Sequence, residues 1–190
     1  MYTRSMLLSF SVAWILLFLV AGCAGKRKWD YEPISLVVRT TDASKVNVEA
    51  EVEPMGRDGF AFTAQLLINF DMDETTMVEV TAYRSSTGSK DDYKLLPFCI
   101  PKQAFQRFAE SHYKDIIYTN LKQCSNIPKP ENAYPWPKGT YIFDKCTVTG
   151  DGMPEVLPEG YYKIVFDVSG KVGGGFTSIG KLTTKTDMIG

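Results

Sequence analysis

Apolar and polar positions alternate in three successive stretches of this chain, and one later stretch keeps a helical period instead. Ile34-Ser35-Leu36-Val37-Val38 reads as a first strand, and Val46, Val48, Ala50 and Val52 then alternate with Asn47, Glu49 and Glu51. The second segment therefore has one dry and one wet face. After the turn Met55-Gly56-Arg57-Asp58-Gly59, the residues Phe60, Phe62, Ala64, Leu66, Ile68 and Phe70 keep the same period. The acidic turn Asp71-Met72-Asp73-Glu74-Thr75 leads into a further alternating run, Met77, Val78, Val80, Ala82 and Tyr83, ending at Ser85-Ser86-Thr87-Gly88. Three strands at hairpin spacing predict an antiparallel meander.

From Pro101 the period changes. Phe105, Phe108, Ala109, His112, Ile116, Ile117 and Leu121 recur at three and four residues, which predicts one amphipathic helix from Pro101 to Asn120. An extended proline-rich crossing follows, from Asn126 to Pro137. Next comes the most heavily punctuated stretch, Pro135 to Lys163, where Pro137/Gly139 and Pro158/Gly160 each precede aromatic and β-branched residues. Turns that launch strands have this composition, so Tyr141-Ile142-Phe143 and Tyr161 to Phe166 are predicted as two adjacent strands around Cys146. Gly173-Gly174-Gly175 reads as a bulge or rim that breaks the last strand before Phe176, Ile179 and Leu182. The fold class that follows is mainly β, with antiparallel strands and one helix covering a face or an open end of a sheet.

The first residues add a compartment. One charge, Arg4, precedes an apolar run from Met6 to Val20 and the small residues Ala21-Gly22-Cys23-Ala24, which is the pattern of a secretory signal cleaved after Ala24. The run is short for a spanning helix, so no transmembrane span is expected after cleavage. Val20-Ala21-Gly22-Cys23 also fits a bacterial lipobox, a reading the rest of the chain argues against. The division is a signal peptide at 1–24 and a single domain at 25–190, long enough to bury a core. Without the signal, 20 Lys and Arg stand against 22 Asp and Glu, and no basic stripe points to nucleic acid. Cys99, Cys124 and Cys146 then remain, and three cysteines allow three choices of pair in an oxidising compartment. Cys124 with Cys146 is favoured, because that pair closes the proline-rich loop and a loop of about 20 residues is worth about 3 kcal/mol.

Catalytic and metal chemistry finds few parts. His112, the only histidine, lies on the predicted helix with no G-x-S-x-G elsewhere, so it reads as a partly covered helix residue. Asp71 to Glu74 lacks the spacing and closing Glu of a calcium loop. Gly150-Asp151-Gly152 is not an aspartic-protease motif, and the glycine run at Gly173 lacks the Lys and Ser or Thr of a phosphate loop. The chain is expected to be no enzyme, with no cofactor and no metal.

W-D-Y-E-P at Trp29 to Pro33, A-Y-R-S-S-T-G at Ala82 to Gly88, D-Y-K-L-L-P at Asp92 to Pro97, I-P-K-Q at Ile100 to Gln103 and the stretch from Pro135 together resemble insect CheB-type chemosensory proteins. These are small secreted proteins related more distantly to the ML lipid-recognition superfamily, which includes the ganglioside activator. The resemblance runs through nearly the whole chain beyond the signal, and departs from some members in having Tyr134 where a cysteine often precedes the P-x-P-K-G-x-Y motif. It implies a sandwich opened into a cup, with a lipid or other hydrophobic small molecule between two sheets and a role in contact chemosensation or pheromone response.

Aromatic residues make up 13% of the chain. Taken alone they read as core; under the resemblance, Phe60, Phe62, Phe105, Phe108, Tyr141, Phe143, Tyr162 and Phe166 become candidate walls of the cavity. The helix would flank or gate its mouth. The leading expectation is a secreted, non-enzymatic carrier of such a ligand. The alternative is a secreted interaction module with a solid core that modulates a chemosensory receptor or channel through the loop Pro128 to Pro137.

Overall fold

The computed structural model describes residues 28–56, 59–97, 99–147 and 154–185. The expected signal at 1–24 and the Gly150-Asp151-Gly152 turn lie outside them. The architecture is two antiparallel sheets with one helix, the mainly β sandwich that was expected. The larger sheet has the order β1-β9-β8-β4, with short β5 and β6 both pairing with β4; the smaller has the order β2-β3-β7. Their bounds are β1 Trp29–Thr40, β2 Val46–Pro54, β3 Phe60–Ile68, β4 Met77–Ser85, β5 Lys94–Leu95, β6 Ile100–Ala104, β7 Gly139–Cys146, β8 Gly160–Ser169 and β9 Gly174–Thr184. The helix, α1, spans residues 105–121, and over Ala109–Tyr118 it takes the wider π form.

Four expectations need correction. β2 and β3 do form a hairpin, with Val46 opposite Ile68 and Pro54 opposite Phe60, but β4 leaves for the other sheet, so there is no three-stranded meander. Alternation fixes which face of a strand is dry, not which strand lies beside it. The helix begins at Phe105, not Pro101: Ile100–Ala104 is strand β6, with Ala104 opposite Met77. Proline can open a helix but is equally at home in a short edge strand. The two strands of the Pro135 to Lys163 stretch are not neighbours, since β7 belongs to the small sheet and β8 to the large one. Finally, Gly174 and Gly175 do not break the last strand but begin it, paired with Thr40 and Arg39 of β1.

A one-residue slip in β7 has a specific purpose. Gly139, Tyr141 and Phe143 point toward the large sheet, so strict alternation would send Cys146 outward. Lys145 has φ of 47°, and the register shifts between Phe62 and Ala64 of the facing strand. This bulge turns Cys146 back inward, where it is fully buried and bonded to Cys124, with the Cα atoms 5.4 Å apart. The expected disulfide is thus present. It ties the end of α1 to β7, whose free edge is covered by residues 124–126: Asp144 N–H donates to the Cys124 carbonyl at 2.8 Å, and Ile142 N–H to the Asn126 side chain at 2.6 Å. Cys99 is a free, half-buried thiol.

Candidate functional site

Two separate apolar cores cover the inner face of the large sheet. The larger joins Ile68, Tyr141, Val78, Phe105, Phe108 and Tyr113, with Val46, Leu66, Phe143, Phe166 and Val168 packed against it. The smaller, at the other end of the large sheet, joins Trp29, Tyr162 and Leu182, with Tyr31, Leu96 and Leu157 around them. Register puts one row of the large sheet between the two: Ala82, Ile164, Ser178 and Leu36 lie side by side across β4, β8, β9 and β1. On β8 this row falls between Phe166 of the larger core and Tyr162 of the smaller, and Ile164, Ser178 and Leu36 remain only half-buried.

The inner face of the small sheet behaves in the same way. Val46, Leu66 and Tyr141 belong to the larger core, so by alternation Val48, Ala50, Val52, Ala64, Phe62 and Phe60 face inward too. Yet Ala50 is exposed, Val52 is 37% exposed, and Phe60, Phe62, Val48 and Ala64 are half-buried. The turn at 41–45 reverses the chain from β1 to β2, so this apolar half of the small sheet lies toward the end where the smaller core sits on the large sheet. The inner surfaces are therefore filled at one end and incompletely covered at the other.

The eight expected wall residues divide among these regions. Phe105, Phe108 and Tyr141 are buried in the larger core and Phe143 and Phe166 pack on it; Tyr162 is in the smaller core; Phe62 reaches the larger core through a ring contact with Phe143 at 6.0 Å; and Phe60 is half-buried on the less covered half of the small sheet. A chain of rings runs through the larger core, from Phe176 stacked on Phe166 at 5.4 Å, through Phe108 and Phe105, to Trp136, Tyr113 and Tyr141. The side chains that border the space between the cores are Leu36, Ile164 and Ser178, with Tyr31 lying over Gly180 and its hydroxyl 3.3 Å from that of Ser178. Alternation already put Ile164 on one face with Tyr162 and Phe166, but sequence reasoning passed over Leu36, Ser178 and Tyr31. The signal that could have found them is register, since Gly180 provides the space that the Tyr31 ring occupies.

Two tyrosines expected as wall also have a local duty. P-K-G-T-Y at 137–141 and P-E-G-Y-Y at 158–162 share the spacing P-x-G-x-Y, and in both the tyrosine hydroxyl donates to the carbonyl of the proline four residues back. At Gly160 φ is +138°, and in both motifs the hydroxyl pins the turn to the strand, an arrangement akin to a tyrosine corner. Burial raises the pKa of both phenols, so they stay neutral donors at physiological pH.

Other places offer less. His112 is half-buried, with its ring 6.0 Å from Phe108. Among the described residues no cluster of His, Cys, Asp and Glu could hold a metal ion. A surface groove beside the disulfide is lined by Gln123, Cys124, Ser125, Asn126, Ile142 and Asp144. Its Asn126 and Asp144 are already committed to β7's edge, and it lies away from the inner faces.

Residues 78–164, a little under half of the chain, match the model of a family described as a protein of unknown function (DUF1091), an ML-like domain. The match runs from β4 through α1 and β7 to Ile164 of β8, and so includes most of the larger core. No curated protein matches the chain. No helix among the described residues is long and apolar enough to cross a membrane.

Proposed function

We propose that the chain is a non-enzymatic carrier of a lipid or other elongated apolar ligand, held between the two sheets against the row Leu36, Ser178 and Ile164. The observation that carries this reading is that apolar inner faces of both sheets stay partly uncovered between and beyond two separate cores. Such surface is costly in water, and an alkyl chain laid on it recovers about 0.8 kcal/mol per buried methylene. A chain of about twelve methylenes supplies roughly 10 kcal/mol gross. Association costs at least about 4 kcal/mol, which leaves a dissociation constant of tens of micromolar. The match to an ML-like domain supports the same reading. Secretion and a chemosensory role rest on the resemblance to CheB-type proteins and belong to the proposal.

The interaction-module alternative draws less support. Its loop is built into the larger core through Ala133, Tyr134 and Trp136, next to the buried Ile127, and the Pro128 carbonyl accepts the Tyr113 hydroxyl at 2.7 Å.

Titration of delipidated protein with fatty acids, long-chain hydrocarbons and phospholipids tests the carrier. Binding of at least one class is expected, with loss of that binding in Ile164→Trp at unchanged melting temperature. Failure of all three classes to bind, or binding indifferent to Ile164→Trp, would overturn it.

A further inference from the structure

The outer face of the large sheet carries a charge pattern that complements itself. Since Val80, Phe166 and Val168 point into the core, alternation turns Glu79, Thr81, Tyr83, Lys163, Val165 and Asp167 away from it. These fall in three rows. The first holds Glu79, Asp167, Gly175 and Arg39; the second Thr81, Val165, Thr177 and Val37; the third Tyr83, Lys163, Ile179 and Ser35. The middle row is uncharged, and its Val37 is 55% exposed. Acid dominates the first row, where Asp167 shares Arg39 at 2.8 Å and Glu79 makes no ion pair among the described residues. In the third row the Lys163 ammonium stands 4.4 Å from the Tyr83 ring centre and 4.8 Å from that of Tyr93, likewise with no carboxylate partner among the described residues.

We propose that this face packs on the same face of a second copy of the chain, about a two-fold axis lying along the middle row. That operation sets Val165 and Val37 of one copy on Val165 and Val37 of the second. It brings Lys163 of each copy over Asp167 of the other, and Tyr83 over Glu79. An isologous contact needs a patch of this kind, apolar at the axis and opposite in charge on either side of it. Two face-packed sheets provide the geometry, with strands inclined by about 30°.

With the flanking Met77/Ser169 and Ser85/Tyr161 rows included, the face is about four strands wide and nine residues long, roughly 20 by 30 Å, or about 600 Å² on each copy. Stable standard interfaces bury about 800 Å² a side, so the dimer dissociates on dilution into the micromolar range. The inference is independent of the ligand reading, because it uses the opposite face of the sheet.

Sedimentation equilibrium of the purified chain between about 1 μM and about 500 μM tests it. A monomer–dimer equilibrium is expected. Lys163→Glu, which sets glutamate over Asp167, and Asp167→Lys, which sets lysine over Lys163, should each weaken self-association at least tenfold. An equimolar mixture of the two variants should dimerise again, since every cross-copy pair is then of opposite sign. Circular dichroism establishes that both variants are folded. A monomer at every concentration, a dimer indifferent to Lys163→Glu, or a mixture that stays monomeric would each overturn the proposal.

Discussion

Removing the disulfide by Cys124→Ala with Cys146→Ala should cost the fold a calculable amount and loosen one identifiable region. The two residues are 22 apart in sequence. In the chain-entropy model, opening a loop of that length returns about 11 cal/mol/K to the unfolded chain, or about 3.4 kcal/mol at 25 °C. For a domain of this size 1 kcal/mol corresponds to about 2–4 °C of melting temperature, so a fall of about 7–14 °C is expected by scanning calorimetry. Since the bridge joins the end of α1 to β7, the losses should be local. Hydrogen exchange should quicken at Asp144 N–H and Ile142 N–H, which bond to residues 124 and 126, while amides of β8 and β9 keep their protection relative to global unfolding. A melting temperature lowered by less than about 3 °C would refute the entropic account. Exchange that rises equally in both sheets would refute the local one.

Gly175→Ala should destabilise by at least about 3 kcal/mol and appear as lost soluble expression, because φ is +148° and a Cβ would press on the Phe166 carbonyl oxygen. Gly56→Ala is the control: φ is +62° but nothing lies within 4 Å, so urea denaturation should show a loss of only about 1 kcal/mol. Tyr113→Phe removes only the hydroxyl that bonds Pro128, and should cost about 1–2 kcal/mol by the same measurement. Acid should unfold the protein in a defined window. Asp73 is lowered to about 2, first by the Lys171 ammonium and then by the Thr75 hydroxyl, and Asp92 lower still by the Ser85 and Ser86 hydroxyls and Thr87 N–H. Both folded values lie below the unfolded one, so their stabilisation is complete above about pH 4 and is lost as pH falls toward 2. Asp73→Asn and Asp92→Asn should flatten that part of the stability profile measured by urea denaturation.

The parts of this fold that were legible in the sequence are those set by local chemistry. Period two marked β2, β3 and β4 because each has one face on the core and one in water, turn punctuation marked β7 and β8, and the disulfide followed from what its loop would otherwise cost. The partner of each strand was not legible. β3 looks the same in sequence whether its neighbour is β4 or β7, and the choice is made by packing between residues far apart in the chain. The helix start misled for a similar reason: Pro101 suits a first helical turn, but pairing of Ile100–Ala104 with β4 recruits those residues into the sheet. At the candidate site, aromatic content was the visible signal, and it marks the cores better than the space between them. The residues bordering that space are an isoleucine, a leucine, a serine and a glycine covered by tyrosine, none conspicuous until register sets them in one region.

Why the two cores do not merge can be argued from the same register. Along β8 the inward side chains are Tyr162, Ile164, Phe166 and Val168, all large enough to join a continuous core. The interruption arises from what faces or flanks Ile164. Its neighbours in the row are Ala82 and Ser178, both short, and the next inward position on β9 is Gly180. Across the gap, Ala50 and Ala64 sit opposite each other in the small sheet, between the Val48/Leu66 and Val52/Phe62 pairs. Small residues thus occur on the inner faces of both sheets. Collapse would be the ordinary outcome for so much apolar surface, but Tyr162 is pinned to Pro158 at one end and Tyr141 to Pro137 at the other. The two P-x-G-x-Y turns hold one tyrosine on each sheet by its hydroxyl, so neither ring can tilt to fill the gap without giving up a buried hydrogen bond worth about 1 kcal/mol or more. Tyr141→Phe together with Tyr162→Phe should release both rings. If the space is maintained in this way, the double variant should lose apolar ligand by titration while keeping both sheets by circular dichroism. Retained affinity would place the cause in the small residues alone.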